Sequence, residues 1–65
     1  MCKFAENFKK LRLEYKFTIK YVAKLLNVSP STIIAWEKSK SYPYFDTLIK
    51  IVKLFNVTCN YILGL

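Results

Sequence analysis

The chain has no histidine, one glycine and only four acidic residues. Without histidine, neither a Cys/His nor a Ser/His pair can activate a nucleophile. Gly64 is the sole glycine, so no glycine-rich loop exists to cradle a phosphate. With the carboxylates scattered as well, the expectation is a protein that is not an enzyme and carries no cofactor. Cysteine is also scarce: Cys2 and Cys59 are too few for the disulfide framework of a small secreted domain, and their neighbours offer no metal-ligand spacing. Both are expected to be free thiols in a reducing cytoplasm. No apolar run approaches the roughly 20 residues of a membrane span, and the start "MCKFAENFKK" lacks the apolar segment of a signal peptide. The expected setting is cytoplasmic and soluble.

What is present points elsewhere. A chain of 65 residues has room for one domain, expected to span 1–65, and buries only about 60% of its unfolded surface on folding. Its apolar share is 54%, above the ordinary range of about 45–50%, so a packed core is expected and some of the surplus suits a subunit interface. Eleven Lys and Arg against four Asp and Glu give +7, a field that attracts polyanions. Nucleic acid is the first candidate partner; an acidic membrane surface and an acidic protein are the others.

Phe4, Phe8, Leu11 and Tyr15 recur at the spacing of an amphipathic helix, with Lys9, Lys10 and Arg12 off that stripe. Thr18 is an N-cap candidate for a second helix whose apolar positions are Val22, Leu25 and Leu26. Asn27 then interrupts the pattern, and Asn is among the few residues that tolerate a left-handed turn. Ser29 followed by Pro30 restarts a helix: serine accepts a backbone N–H bond, and proline at the first position loses no donor that would have been paired. Ile33 and Trp36, with Thr32 beside them, are expected to face inward. Lys38 to Pro43 reads as a loop. Leu48, Ile51, Val52 and Phe55 mark a fourth helix, and Thr58 can cap a short fifth, Cys59 to Leu63, with Gly64 at its end. No strand, internal repeat or linker is expected.

Two short helices joined by a turn of three or four residues suggest a helix-turn-helix. The stretch "IKYVAKLLNVSPSTIIAWEK", Ile19 to Lys38, carries Val22, Ala23, Leu26, Asn27, Val28, Ile33 and Trp36, followed by Glu37, a basic loop, "LIKIVKLFNV" and "NYILG". On these positions the chain resembles, over nearly its whole length, the DNA-binding domain of the lambda Cro and repressor type, the XRE family. The resemblance implies an all-α, compact five-helix bundle with its motif at 19–38, and an Arg12–Glu37 ion pair, for which the planar fork of Arg is suited. The chain departs from the family in four places. Ile19 stands where a phosphate-gripping glutamine is common, and Asn27 and Ser39 stand where glycine is usual. Lys20 and Tyr21 replace acidic residues in the first turn of the motif's first helix. A cation there is unfavourable by about 0.3–1 kcal/mol, a cost that a docked phosphate would offset.

In this family the second helix of the motif enters the major groove with its first residues near base edges. The resemblance therefore implies base contacts from Pro30, Ser31, Ile34 and Ala35. It implies phosphate contacts from Thr18, Lys20, Ser29, Thr32, Lys38, Lys40, Ser41 and Tyr42. Ser31 is a tolerant reader, and Ile34 and Ala35 can touch only the thymine methyl, so the expected site has thymines and a contribution from DNA shape. Four phosphates neutralised per protomer give a salt slope of about −4. Lys50 and Lys53 read as solvated charges, and Lys9, Lys10 and Lys16 as long-range steering without DNA contact.

The expected function is sequence-specific binding of double-stranded operator DNA as a bacterial or phage transcriptional regulator, a repressor, at the nucleoid. A homodimer is expected at least on DNA, with neither membrane nor small-molecule partner. The competing class is a protein-interaction module, such as an antitoxin or a regulator's partner, on the same fold. A basic amphipathic membrane binder would have to open the shared core and leaves Ala23 and Arg12/Glu37 unexplained.

Overall fold

Each apolar stripe in the sequence becomes a helix, and each helix begins where a hydroxyl or a turn stops the one before. The computed structural model describes residues 3–65; Cys2 lies outside them, and Cys59 carries a half-buried free thiol. The elements are α1 (Phe4–Glu14), α2 (Ile19–Leu26), α3 (Pro30–Glu37), α4 (Phe45–Phe55) and α5 (Cys59–Leu63). Among the described residues there is no strand. Thr18, Ser29 and Thr58 cap α2, α3 and α5 by accepting the amides of Tyr21, Thr32 and Tyr61.

The scarcity of glycine has a conformational consequence. All five helices end on a left-handed residue, namely Lys16, Asn27, Ser39, Asn56 and Gly64, yet only the last is glycine. In each case the following amide bonds back across the helix end: Phe17 to Arg12 O (2.9 Å), Val28 to Ala23 O (3.0 Å), Lys40 to Ala35 O (2.9 Å), Val57 to Val52 O (3.0 Å) and Leu65 to Asn60 O (2.9 Å). Asn suits this geometry; Lys16 (φ 59) and Ser39 (φ 59) pay for it. Replacing either by glycine relieves the left-handed strain of about 1–2 kcal/mol, partly offset by the larger freedom of glycine in the unfolded chain. Ser39→Gly and Lys16→Gly are each expected to raise stability by about 0.5–1 kcal/mol in urea titrations. A loss of stability in either variant would contradict that assignment of strain.

The structure also shows a repeat that the sequence reading did not expect. Asn27, Val28, Ser29 and Ile33 at the α2–α3 junction recur as Asn56, Val57, Thr58 and Ile62 at the α4–α5 junction, with the same left-handed turn, half-buried valine, capping hydroxyl and fully buried isoleucine. Only these positions agree, because the turn geometry constrains them and leaves those between free.

Phe4, Phe8, Leu11, Val22, Ala23, Leu26, Ile33, Trp36, Ile51, Phe55 and Ile62 form one core. Trp36 meets Phe8 edge-on at 5.7 Å and Phe4 at 6.1 Å, and Phe8 meets Phe55 at 5.9 Å. Thus α3 packs on α1 and α2, and α5 closes the bundle against α1 and α4. The Cα radius of gyration is 10.4 Å, close to the value of about 11 Å for a packed chain of this length. Two expected stripe positions lie outside the core. Leu25 is 44% exposed because it sits about 100° around the helix from Leu26, past the edge of the Val22–Ala23–Leu26 face. Tyr15 is 43% exposed and follows the last residue of α1; its ring lies 5.1 Å from Phe55, and its hydroxyl donates to Phe55 O at 3.0 Å.

Candidate nucleic-acid interface

The turn from α2 to α3 is short because Asn27 reverses the chain in one left-handed step (φ 58, ψ 46) and Ser29 restarts it. Ile33 (0% exposed) and Trp36 (3%) then fix which side of α3 faces the core. Residues three and four apart share a helix face, so Ser31, Ile34, Ala35 and Lys38 share the opposite one. Ser31, Ile34 and Lys38 are exposed and Ala35 is half-buried. Pro30 is exposed at the first helical position.

The start of α3 is a hydroxyl cluster. Ser29 Oγ lies 3.0 Å from Ser31 Oγ and 2.9 Å from Thr32 Oγ1, and accepts the Thr32 amide at 3.3 Å. Each hydroxyl can rotate between a neighbour and an incoming acceptor or donor. The far end of α3 is held by a nearly buried ion pair. Arg12 Nε donates to Glu37 Oε2 at 2.7 Å and Nη2 to Oε1 at 3.2 Å, while Nη1 donates to Phe17 O at 2.8 Å. Both side chains are over nine-tenths buried (9% and 8% exposed). One guanidinium therefore ties α3 to α1 and to the turn before α2.

The remaining phosphate-contact candidates divide into groups. Thr32, Ser41 and Tyr42 line one cleft of about 330 Å³ together with Val28, and Tyr42 is anchored edge-on to Phe4 at 6.3 Å. Lys40 is exposed beside them, its amide bonded to Ala35 O. Thr18 and Lys20 stand apart, at the start of α2. The Thr18 hydroxyl caps the helix, accepting the Tyr21 amide at 3.0 Å, and Lys20 is exposed in the first turn.

A second hollow of about 220 Å³ is lined by Lys9, Arg12, Ile19, Ile34, Glu37 and Lys38. It brings the outward face of α3 against α1. Of these six, only Ile34 and Lys38 were expected to contact DNA; Arg12 and Glu37 were expected as an ion pair, Ile19 as a departure at a phosphate-contact position and Lys9 as long-range steering, because nothing in the stripe of α1 indicates which of its off-stripe lysines reaches α3.

The electrostatics are one-sided. Between Tyr15 and Phe45 the chain has Lys16, Lys20, Lys24, Lys38 and Lys40 against a single acid, Glu37, and Arg12 neutralises that acid. The segment holding α2, α3 and the following loop is thus an uncompensated cationic surface.

The family described as "Helix-turn-helix domain" matches residues 5–65. The chain belongs to the XRE-type helix-turn-helix family. This XRE-type chain is 36% identical over 61 residues to the HTH-type transcriptional activator BcrR of Enterococcus faecalis, a match that covers 94% of this chain and 30% of BcrR. The crystal structure of a transcriptional regulator from Listeria innocua superposes with a TM-score of 0.95 at 26% identity, covering 100% of this chain and 61% of that one. The fold also occurs in hydroxypropylphosphonic acid epoxidase from S. wedmorenis, with a TM-score of 0.85 at 25% identity, covering 95% of this chain and 33% of the epoxidase. The chain spans between 30% and 55% of the length of the curated relatives it matches, all described as HTH-type regulators or activators of transcription. No helix among the described residues is long and apolar enough to cross a membrane.

Proposed function

We propose that this chain is the DNA-binding domain of a transcriptional regulator, with α3 in the major groove of a specific operator. The observation that carries the reading is the outward face of α3: Ser31, Ile34, Ala35 and Lys38 are presented together on a cationic surface, by a helix whose inner face is locked by Trp36 and Glu37. The core and the ion pair beneath hold that face in one orientation, which suits a helix whose first residues approach base edges in the major groove. Ile34 and Ala35 would meet thymine methyls and Ser31 a base edge. Lys20 at the start of α2 would meet a phosphate on one side, and Lys38, Lys40, Ser41 and Tyr42 phosphates on the other. Ser29 and Thr32 would share their capping bonds with the backbone.

One such face makes few base contacts, so two copies reading half-sites about 34 Å apart are proposed. Tyr44 (85% exposed), Phe45 (75%) and Leu65 (83%) offer apolar surface for the contact between them. Repression follows directly from occupancy where the operator overlaps a promoter; BcrR is described as an activator, so operator position sets the direction of control. The epoxidase carries the same fold within an enzyme, yet among the described residues no three His, Cys, Asp or Glu side chains are grouped to hold a metal ion, and the regulator relatives favour the DNA reading.

Of the proposed phosphate contacts only Lys20, Lys38 and Lys40 are cationic, and three neutralised phosphates imply a log–log salt slope of about −3 per protomer, shallower than the slope of about −4 expected from four. Fluorescence anisotropy with a short duplex at several salt concentrations measures it. A slope near zero would leave the cationic surface without a phosphate partner and favour the protein-interaction class.

A further inference from the structure

We propose that Ser29 and Thr32 are positioning residues that set the hydrogen-bond polarity of Ser31, so that Ser31 reads adenine or cytosine and rejects guanine and thymine. The inference rests on the DNA-binding reading of α3 and deepens it by naming the bases that one side chain selects. Three hydroxyls meet at the start of α3. Ser29 Oγ lies 3.0 Å from Ser31 Oγ and 2.9 Å from Thr32 Oγ1, and it accepts the Thr32 amide at 3.3 Å. A hydroxyl has one proton to donate and two lone pairs with which to accept. The amide takes one lone pair of Ser29, which leaves one proton and one lone pair for two neighbours. One neighbour therefore donates to Ser29 while the other accepts from it.

Two arrangements satisfy this count. In the first, Ser31 donates to Ser29 and Ser29 to Thr32, so Ser31 turns only lone pairs outward and Thr32 keeps its proton. In the second the bonds run in reverse, so Ser31 keeps its proton and Thr32 is left with lone pairs alone. Water accommodates either in the free protein, because Ser29 and Ser31 are exposed. A duplex distinguishes them. Thr32 lines the cleft that holds Ser41 and Tyr42, the side proposed to face phosphates, and a phosphate oxygen can only accept. A phosphate there needs the Thr32 proton and so selects the first arrangement. Ser31 then meets the major groove as an acceptor. Adenine N6 and cytosine N4 donate in that groove, whereas guanine O6 and N7 and thymine O4 accept. A serine that alone would tolerate any base becomes selective through a neighbour that touches none.

The alternative is that Thr32 meets the base itself, and a double-mutant cycle separates the two. The experiment starts from a duplex selected by the wild-type protein and varies, through all four bases, the position whose preference is lost in Ser31→Ala. Fluorescence anisotropy at one salt concentration gives Kd for wild type, Thr32→Val, Thr32→Ser, Ser31→Ala and Ser31→Ala/Thr32→Val. Circular dichroism checks that each variant folds. Valine keeps the shape of threonine but releases the Ser29 proton, which can then pass to Ser31. The wild type is expected to bind the adenine or cytosine duplex at least about fivefold more tightly than the guanine and thymine duplexes. Thr32→Ser should keep that ratio. Thr32→Val should weaken all four complexes, through the lost phosphate bond, and bring them within about twofold of one another. In the Ser31→Ala background the same change should weaken all four equally. A preference for guanine or thymine, an unchanged ratio in Thr32→Val, a Thr32→Val effect on base preference that survives Ser31→Ala, or no base position that depends on Ser31 would overturn the relay while leaving DNA binding intact. Failure of the wild-type protein to enrich any duplex would overturn the parent reading and this one together.

Discussion

Glu37→Ala is expected to destabilise the fold by about 3–5 kcal/mol, because it strands the Arg12 guanidinium away from water with only Phe17 O as a partner. The whole stability of a domain this size is about 3–10 kcal/mol, so the variant should be largely unfolded at 37 °C. The effect is local in cause and global in reach: the same guanidinium links α1, α3 and the turn before α2. Replacing both partners by apolar residues should recover most of the loss, since a buried pair is costly to break and close to neutral to replace. Urea denaturation of Glu37→Ala, Arg12→Met and the double variant Arg12→Met/Glu37→Met, followed by far-ultraviolet circular dichroism, completes the cycle. A Glu37→Ala cost below about 1 kcal/mol, the range of exposed pairs, would mean that water reaches Arg12 and that the pair does not lock α3.

Trp36→Ala is expected to cost a similar amount by a different route. The indole is 3% exposed and contacts Phe4 and Phe8 edge-on, where α3 crosses α1. Its removal opens a cavity at that crossing worth about 3–5 kcal/mol. Trp36→Phe keeps an aromatic ring against Phe8 and should cost clearly less. Thermal scans of the two variants separate cavity from contact; equal losses would show that the indole matters for something other than filled volume. The two costs explain the division of labour on α3. The inner face carries stability, and the outer face is free to carry recognition.

The helices and the inward side of α3 were legible in the sequence, although unevenly. Helix starts were readable because hydroxyl caps and Pro30 act within a few residues, and all three hydroxyl caps are in place. The inward side of α3 was readable from Ile33 and Trp36. Helix ends were harder. Asn27 announced a left-handed turn, whereas Lys16 takes the same conformation for no reason visible in its side chain; the packing of Phe17 and the Arg12 bond to Phe17 O impose it. Leu25 and Tyr15 misled because apolar periodicity locates a stripe but not its width. The Arg12–Glu37 pair was accessible only through family resemblance, since no local spacing connects residues 25 apart. The hollow joining Lys9 and Ile19 to Ile34 was not accessible at all, because it arises where three helices meet.

The reading proposed for the outer face of α3 is that it recognises DNA sequence. Its most direct test is selection from a random duplex pool at moderate salt by wild type, Ser31→Ala and Ile34→Ala, both variants being exposed positions that should fold normally. The expected result is an enriched two-armed site from the wild type, thymine-containing in each arm, with the thymine preference lost in Ile34→Ala and one further position relaxed in Ser31→Ala. Identical enriched sites from all three proteins, or no enrichment above salt-sensitive binding to every duplex, would contradict it.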